Sequence, residues 1–370
     1  MPQTHLSKTY LYFLIFTAVM ATMILLGPST VAVHANKDMW FSPLVAVPFG
    51  LLVTFLIYLL YRYYPNLTPG QYMIRICGQV VGRLLIVLYF LFIVHYCALV
   101  LQEFSIFSST IFLIETPNAV VMAVMIITAS YAVYKGVEVM GRTCSLVLPI
   151  YLIIFALGMA FLIPEFDFGN LLPIFPIGVF PSVRGSVPLN AWFTEIYFAA
   201  FLLPHLKNRQ GVLRGLIVTN LLLCMLMVFV SLTIVLLFGS LAPDFPFPLM
   251  SALRYVSIGN FLEHMESIVV VMWFLGVFIK MSVLLYCANS LLNDLFSFKR
   301  HEVMVWPLAL FVGVVANWSF PTTQFLSHFY QLKVVFYFYI FVIIIPFVLL
   351  LMTIVRRWLS SNDSIRPSSS

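Results

Sequence analysis

TYLYFLIFTAVMATMILLGPSTVAVHA, residues Thr9–Ala35, holds no Lys, Arg, Asp or Glu in 27 positions. As an α-helix rising 1.5 Å per residue it is ~40 Å long, enough to cross a bilayer core of ~30 Å with some tilt. The run is also longer than the ~7–15 apolar residues of a secretory signal, so it reads as a retained span and not a cleaved leader, although Val33-His34-Ala35 has the small-residue look of a cleavage site. The whole chain agrees with its beginning. Of 370 residues, 62% are hydrophobic and 9% are charged, against ~25% charged in soluble proteins. Too little polar surface exists to coat a soluble globule, which removes soluble enzymes, nucleic-acid readers and disulfide scaffolds from consideration.

Windows of similar character recur along the chain. Ten spans are expected, at Thr9–Ala35, Trp40–Tyr61, Leu84–Ile111, Ala119–Tyr134, Cys144–Ile163, Val187–His205, Leu213–Phe238, Leu262–Leu292, Val303–Phe320 and Val334–Trp358. They are continuous apolar runs, unlike the short alternating strands of a membrane barrel. With the N-terminus inside, 14 of the 19 basic residues fall on the cytoplasmic side, among them Lys8, Arg62, Arg75, Arg83, Lys135, Arg142, Lys207, Arg209 and Arg214. That asymmetry predicts an N-in, C-in all-α integral membrane protein. Residues 1–360 form one polytopic domain, and the serine-rich tail 361–370 is expected to be disordered. Between the second and third spans, Gln71–Val81 has the pattern of a short interfacial helix, with a plain loop as the alternative. The five cysteines, Cys77, Cys97, Cys144, Cys224 and Cys287, lie in or beside spans and read as small apolar packing groups.

Ten spans divide into five and five, and an odd half places the second half in the membrane upside down. The count therefore permits an inverted repeat, in which spans one and six would be interrupted at the binding site. In span one, Gly27-Pro28-Ser29-Thr30 could break the helix or only kink it. Span six carries Trp192-Phe193-Thr194-Glu195 between Pro188 and Pro204. If both helices unwind, their freed N-terminal ends could receive a carboxylate.

A charge at mid-bilayer costs ~2.5–3.5 kcal/mol, so an embedded one should face protein or water. Glu103, Glu195, Glu266 and Lys280 are the candidates. By depth, Lys280 and Glu195 are expected to be coupled; the alternative is that Lys280 snorkels to the interface and Glu195 bonds locally. Tyr89, Tyr96 and Glu103, seven residues apart, share a stripe of span three that lines a cavity or simply packs. No metal-ligand spacing, phosphate loop or nucleophile motif stands out, so no cofactor, metal or catalytic residue is expected. The reading is of a pocket in a helix bundle.

Several stretches carry a more specific signal: Met20-Ala21-Thr22 with Pro28-Ser29, Lys37-Asp38-Met39-Trp40, Asn170-Leu-Leu-Pro173, Phe193-Thr194-Glu195 with Leu203-Pro204, and Ile258-Gly-Asn-Phe-Leu-Glu-His-Met-Glu266 with Trp273 and Phe278-Ile-Lys280. In their order and spacing the chain resembles the B subunit of Ger-type spore germination nutrient receptors, a branch of the amino acid/polyamine/organocation superfamily. The resemblance implies a LeuT-like fold in the spore inner membrane, in complex with an A-type membrane subunit and a C-type lipoprotein. It implies that a small germinant, commonly an amino acid, is bound among Ala21, Thr22, Met23, Ile24, Tyr96, Val100, Glu195, Phe198, Ala199 and Tyr286. Ala21 and Thr194 stand where the family has glycine, and His264 stands where it has arginine. The alternative function is a proton-coupled amino acid permease in which Glu195 and Lys280 change protonation. Membrane lipids are the other expected partner; nucleic acid is not.

Overall fold

The computed structural model describes residues 6–255, 266–298, 302–319 and 334–363. Residues Ile258–Met265 of the motif, the start of the eighth window, Lys299, Arg300, Lys333 and 364–370 lie outside them.

The regular structure among the described residues is all helical, apart from an isolated bridge between Leu6 and Leu206, and irregular segments such as 172–179 connect the helices. Helix α1 (Lys8–Ala35) is capped by the Ser7 hydroxyl, which accepts from the Tyr10 amide at 3.1 Å. A 3-10 turn, Asn36–Phe41, leads into α2 (Ser42–Tyr63). The short α3 (Pro69–Cys77) starts with a reciprocal capping box between Thr68 and Gln71 and stops at Gly78, whose φ of 85° favours glycine. A short helix thus forms where one was read from Gln71–Val81, displaced because the cap sets its start and the glycine its end. Then come α4 (Gln79–Ile111), α5 (Asn118–Lys135), α6 (Val137–Leu162), α7 (Phe180–Thr194), α8 (Ala199–Leu202), α9 (Val212–Phe238) and α10 (Pro248–Tyr255). The chain continues as α11 (Glu266–Phe296), α12 (Val305–Ser319), α13 (Val334–Phe338), a π-helical turn at Tyr339–Ile344, and α14 (Ile345–Asp363).

Among the described residues eight helical stretches are long and apolar enough to cross a membrane; the first, Lys8–Tyr63, contains both α1 and α2, and Val305–Ser319 is a shorter apolar helix. The protein is an integral membrane protein. Several helices start about two turns before the apolar windows, at Val137 and Phe180, because Glu138, Arg142 and Arg184 continue a helix that hydropathy alone would end. Likewise α14 runs to Asp363, three residues into the tail that composition marks as unstructured.

The expected break in the first helix is absent. Helix α1 continues through the buried Pro28, and the Ser29 and Thr30 hydroxyls donate back to the carbonyls of Leu26 and Gly27 at 2.9 and 2.8 Å, so both polar groups are satisfied within the helix. The sixth window does change winding. After Thr194 the chain tightens to a 3-10 turn, Glu195–Phe198, returns to α at α8, and tightens again at Leu203–His205. No extended segment opens there, so an unwound helix pair facing a carboxylate is not what the structure contains.

Helix α1 packs on α6, α7, α9 and α11, and α2 packs on α7 and α9. The stretch Phe180–His205 is the enclosed one: 94% of its apolar window is buried, against 39% for Val334–Leu359. Lipid does not reach it, so Asn190, Thr194 and Glu195 can sit at membrane depth. Leu146, Met225, Leu310 and Trp318 on outer helices are exposed, as a lipid-facing surface requires.

Candidate functional site

The change of winding begins at Glu195, and the two neighbouring helices supply its partners. Lys280 of α11 donates to Glu195 Oε1 at 2.8 Å and to Oε2 at 2.9 Å. Its third N–H finds the Thr22 hydroxyl of α1 at 2.6 Å. The ammonium is thereby fully satisfied, as a cation at this depth must be. Tyr96 of α4 donates its hydroxyl to Glu195 Oε1, and its ring lies 5.2 Å from Lys280 Nζ. Trp192, one turn before Glu195, donates its indole N–H to Thr22 at 2.9 Å. Four elements thus meet at one ion pair, with Thr22, Tyr96, Glu195 and Lys280 each exposed by 3% or less.

Apolar walls surround the pair. Phe198 stacks on Tyr96 with centroids 6.0 Å apart and an interplanar angle of 7°. Val100 is buried one turn along α4, and Met23 and Ala199 are likewise buried. Ala21 occupies a close crossing of α1 and α11: a Cβ at Gly276 would lie 2.9 Å from the Ala21 methyl. The Ala21 methyl is accommodated because its neighbour has no side chain.

Four other residues singled out in the sequence lie away from the pair. Ile24 faces a separate cavity of about 20 Å3, lined also by Tyr151, Phe155, Leu253, Met272 and Trp273. Tyr286 places its hydroxyl 2.6 Å from His205 Nε2, about two turns along α11 from Lys280. Glu103 is buried on α4, two turns beyond Tyr96, and the Lys280 ammonium is taken up by Glu195 instead. Tyr89 belongs to an aromatic stack with Phe92, Tyr197 and Phe341 and donates to the Phe341 carbonyl at 2.5 Å. Trp192, quoted only as part of the span-six stretch, and Gly276 were given no role in the sequence reading. Both were within reach of it, since Trp192 precedes Glu195 by three residues and Gly276 precedes Lys280 by four, the spacings that share a helix face.

All five cysteines are free thiols. Among the described residues no group of three or more His, Cys, Asp or Glu side chains is placed to hold a metal ion.

An enclosed ion pair joining the helices of an apolar bundle defines a polytopic membrane protein with an internal polar site. The particular family follows from the sequence as a whole: the chain belongs to the spore permease family, described as "Spore germination protein", whose model matches residues 5–325. It is 26% identical to spore germination protein KB of Bacillus subtilis (strain 168) over 333 residues, covering 89% of this chain and 88% of that one. Spore germination protein XB of Bacillus anthracis is 24% identical over 275 residues, 73% of this chain and 76% of its own. Spore germination protein YndE of Bacillus subtilis (strain 168) is 23% identical over 312 residues, 82% and 84% of the two chains.

Proposed function

We propose that the chain is the germinant-binding subunit of a spore germination receptor, and that its ligand is a zwitterionic amino acid received between Glu195 and Lys280. The observation that carries this reading is the buried pair. One carboxylate and one ammonium held face to face are the chemical complement of an α-ammonium and an α-carboxylate. Inserting the ligand would exchange one internal ion pair for two intermolecular ones, so little desolvation is left uncompensated. The wall of the pocket would be Ala21, Thr22 and Met23 of α1, Tyr96 and Val100 of α4, and Phe198 and Ala199 around α8; Ile24, turned to the separate cavity, would lie outside it, and Tyr286, tied to His205, would lie on the path below it.

In this reading α1, α2, α4–α7 with α8, α9, α11, α12 and α13–α14 make ten crossings in a LeuT-like five-plus-five arrangement, N-in and C-in, in the spore inner membrane. Separating Glu195 from Lys280 would loosen α7 from α11, and that shift would pass to an A-type membrane subunit and a C-type lipoprotein. A ligand moves such an equilibrium only by its differential affinity for the two states, so recognition and signal would use the same contacts. No chemical transformation is involved.

The same buried titratable pair favours a second reading, a proton-coupled amino acid permease. Two measurements separate the readings and test both. Spores would be exposed to a panel of amino acids with their deaminated and decarboxylated analogues, and the purified protein in liposomes would be assayed for uptake of the active compound. The receptor reading expects germination by an intact zwitterion, none with either analogue, and no uptake. Uptake driven by a proton gradient supports the permease, and equal germination by an analogue rules out the zwitterion site.

A further inference from the structure

At the end of the bundle where α1 and α9 begin lies an open groove of about 990 Å3. Its lining runs from Leu6 to Thr9 and from Lys207 to Gln210, and holds three cations, Lys8, Lys207 and Arg209, with no carboxylate. The preceding segment, Met1-Pro-Gln-Thr-His5, adds none. Two of the cations are held in place. Lys8 Nζ donates to the Gln210 carbonyl at 2.8 Å, and Arg209 donates to Asn66 Oδ1 with its guanidinium 5.8 Å from the Tyr61 ring centre. Among the described residues Lys207 is anchored through its backbone, which donates to the Leu6 carbonyl at 3.4 Å. One turn further along, α1 and α9 close together so tightly that a Cβ at Gly215 would lie 2.1 Å from the Tyr12 ring.

We propose that this groove binds the headgroup of an anionic phospholipid. Three like charges gathered around an open space call for an anion, and their position at the ends of apolar helices is the headgroup level of a membrane. The adjoining face of α9 identifies the source. Arg214 is exposed in the first turn of α9, and below it Val218, Leu222 and Met225 continue the same helical stripe with exposures of 47%, 49% and 69%. A molecule with an anionic head and acyl tails satisfies the groove and the stripe together, whereas an acidic protein segment or free phosphate satisfies the groove alone. The bound headgroup clamps the starts of α1 and α9 to each other across the Leu6–Leu206 bridge. The inference is independent of what the Glu195–Lys280 site binds.

The test uses the full chain purified in a neutral detergent. It is titrated with phosphatidylglycerol, phosphatidylcholine or inorganic phosphate, and read by native mass spectrometry for retained lipid and by thermal unfolding. The variants are K8Q/K207Q/R209Q, the milder Lys207→Glu should the triple variant fold poorly, and K135Q/R142Q as a control in which basic residues elsewhere are removed. Phosphatidylglycerol is expected to raise the Tm of the wild type and of the control. The groove variants should need about tenfold more of it for the same shift and retain one lipid fewer. Equal retention by wild type and groove variants overturns the proposal, and so does an equal effect of phosphatidylcholine. Two further results would overturn it by assigning the groove elsewhere: inorganic phosphate reproducing the whole shift, or the groove variants losing only co-purification of a partner subunit.

Discussion

Glu195 and Lys280 each depend on the other for their place in the bundle. An ion pair withdrawn from water is close to energetically neutral as a pair, but a lone buried charge left by removing one partner destabilises by about 3–5 kcal/mol. Glu195→Gln and Lys280→Met should therefore each lower the thermal unfolding midpoint in detergent by several degrees. The double variant should recover most of that loss while failing to support germination. Additive losses in the double variant would show that the two side chains do not sense each other. The pair was legible in the sequence because charges at membrane depth are rare, and 1.5 Å per residue placed these two at compatible depths. Tyr286 illustrates what depth cannot supply. Its azimuth around α11 and the presence of His205 opposite depend on helix packing, which no linear spacing encodes.

Helices meet closely only where a side chain is missing. Gly276 lets α11 approach α1 at Ala21, directly beside the pair, and the Ala21 methyl cannot swing away as a long side chain would. Gly276→Ala is expected to force the helices apart and to destabilise by about 1–3 kcal/mol, as overpacking does. Adding Ala21→Gly should restore much of the stability, and a double-mutant cycle read by thermal unfolding would measure that coupling. A coupling of zero would mean that the crossing is looser than the structure has it. At the other end of α11, Asp294 accepts the Thr68 hydroxyl at 2.5 Å and fastens the start of α3. In Asp294→Ala the amides of Pro69–Cys77 should exchange hydrogen at least tenfold faster than in the wild type, seen by mass spectrometry. Unchanged protection would place the anchor of α3 elsewhere. Proline and glycine explain where the linear reading of elements held and where it failed. Gly78 ends α3 as its φ demands, but Pro28 does not end α1, whose helix is held on both sides of the proline by packing against α6, α7, α9 and α11 that composition alone does not reveal.

Over the whole molecule, 9% charge was enough to read a membrane protein, and the distribution of those charges carries most of what followed. Apolar windows located the helices because lipid-facing and core-facing residues are both apolar in this solvent. For the same reason they could not show which helix is central. That emerges from packing, in which Phe180–His205 is enclosed and bends its winding at the one residue that carries the site's negative charge. The central claim is that a germinant occupies the space around this residue, walled by Ala21 on α1 and Ala199 on α8. The most direct measurement is the germination response of spores carrying Ala21→Gly or Ala199→Gly to a graded series of amino acids, at matched receptor abundance. The account predicts that removing either methyl extends the response to larger side chains or lowers the concentration they require by about tenfold, the scale on which one methyl group discriminates. An unchanged order of preference in both variants would contradict it.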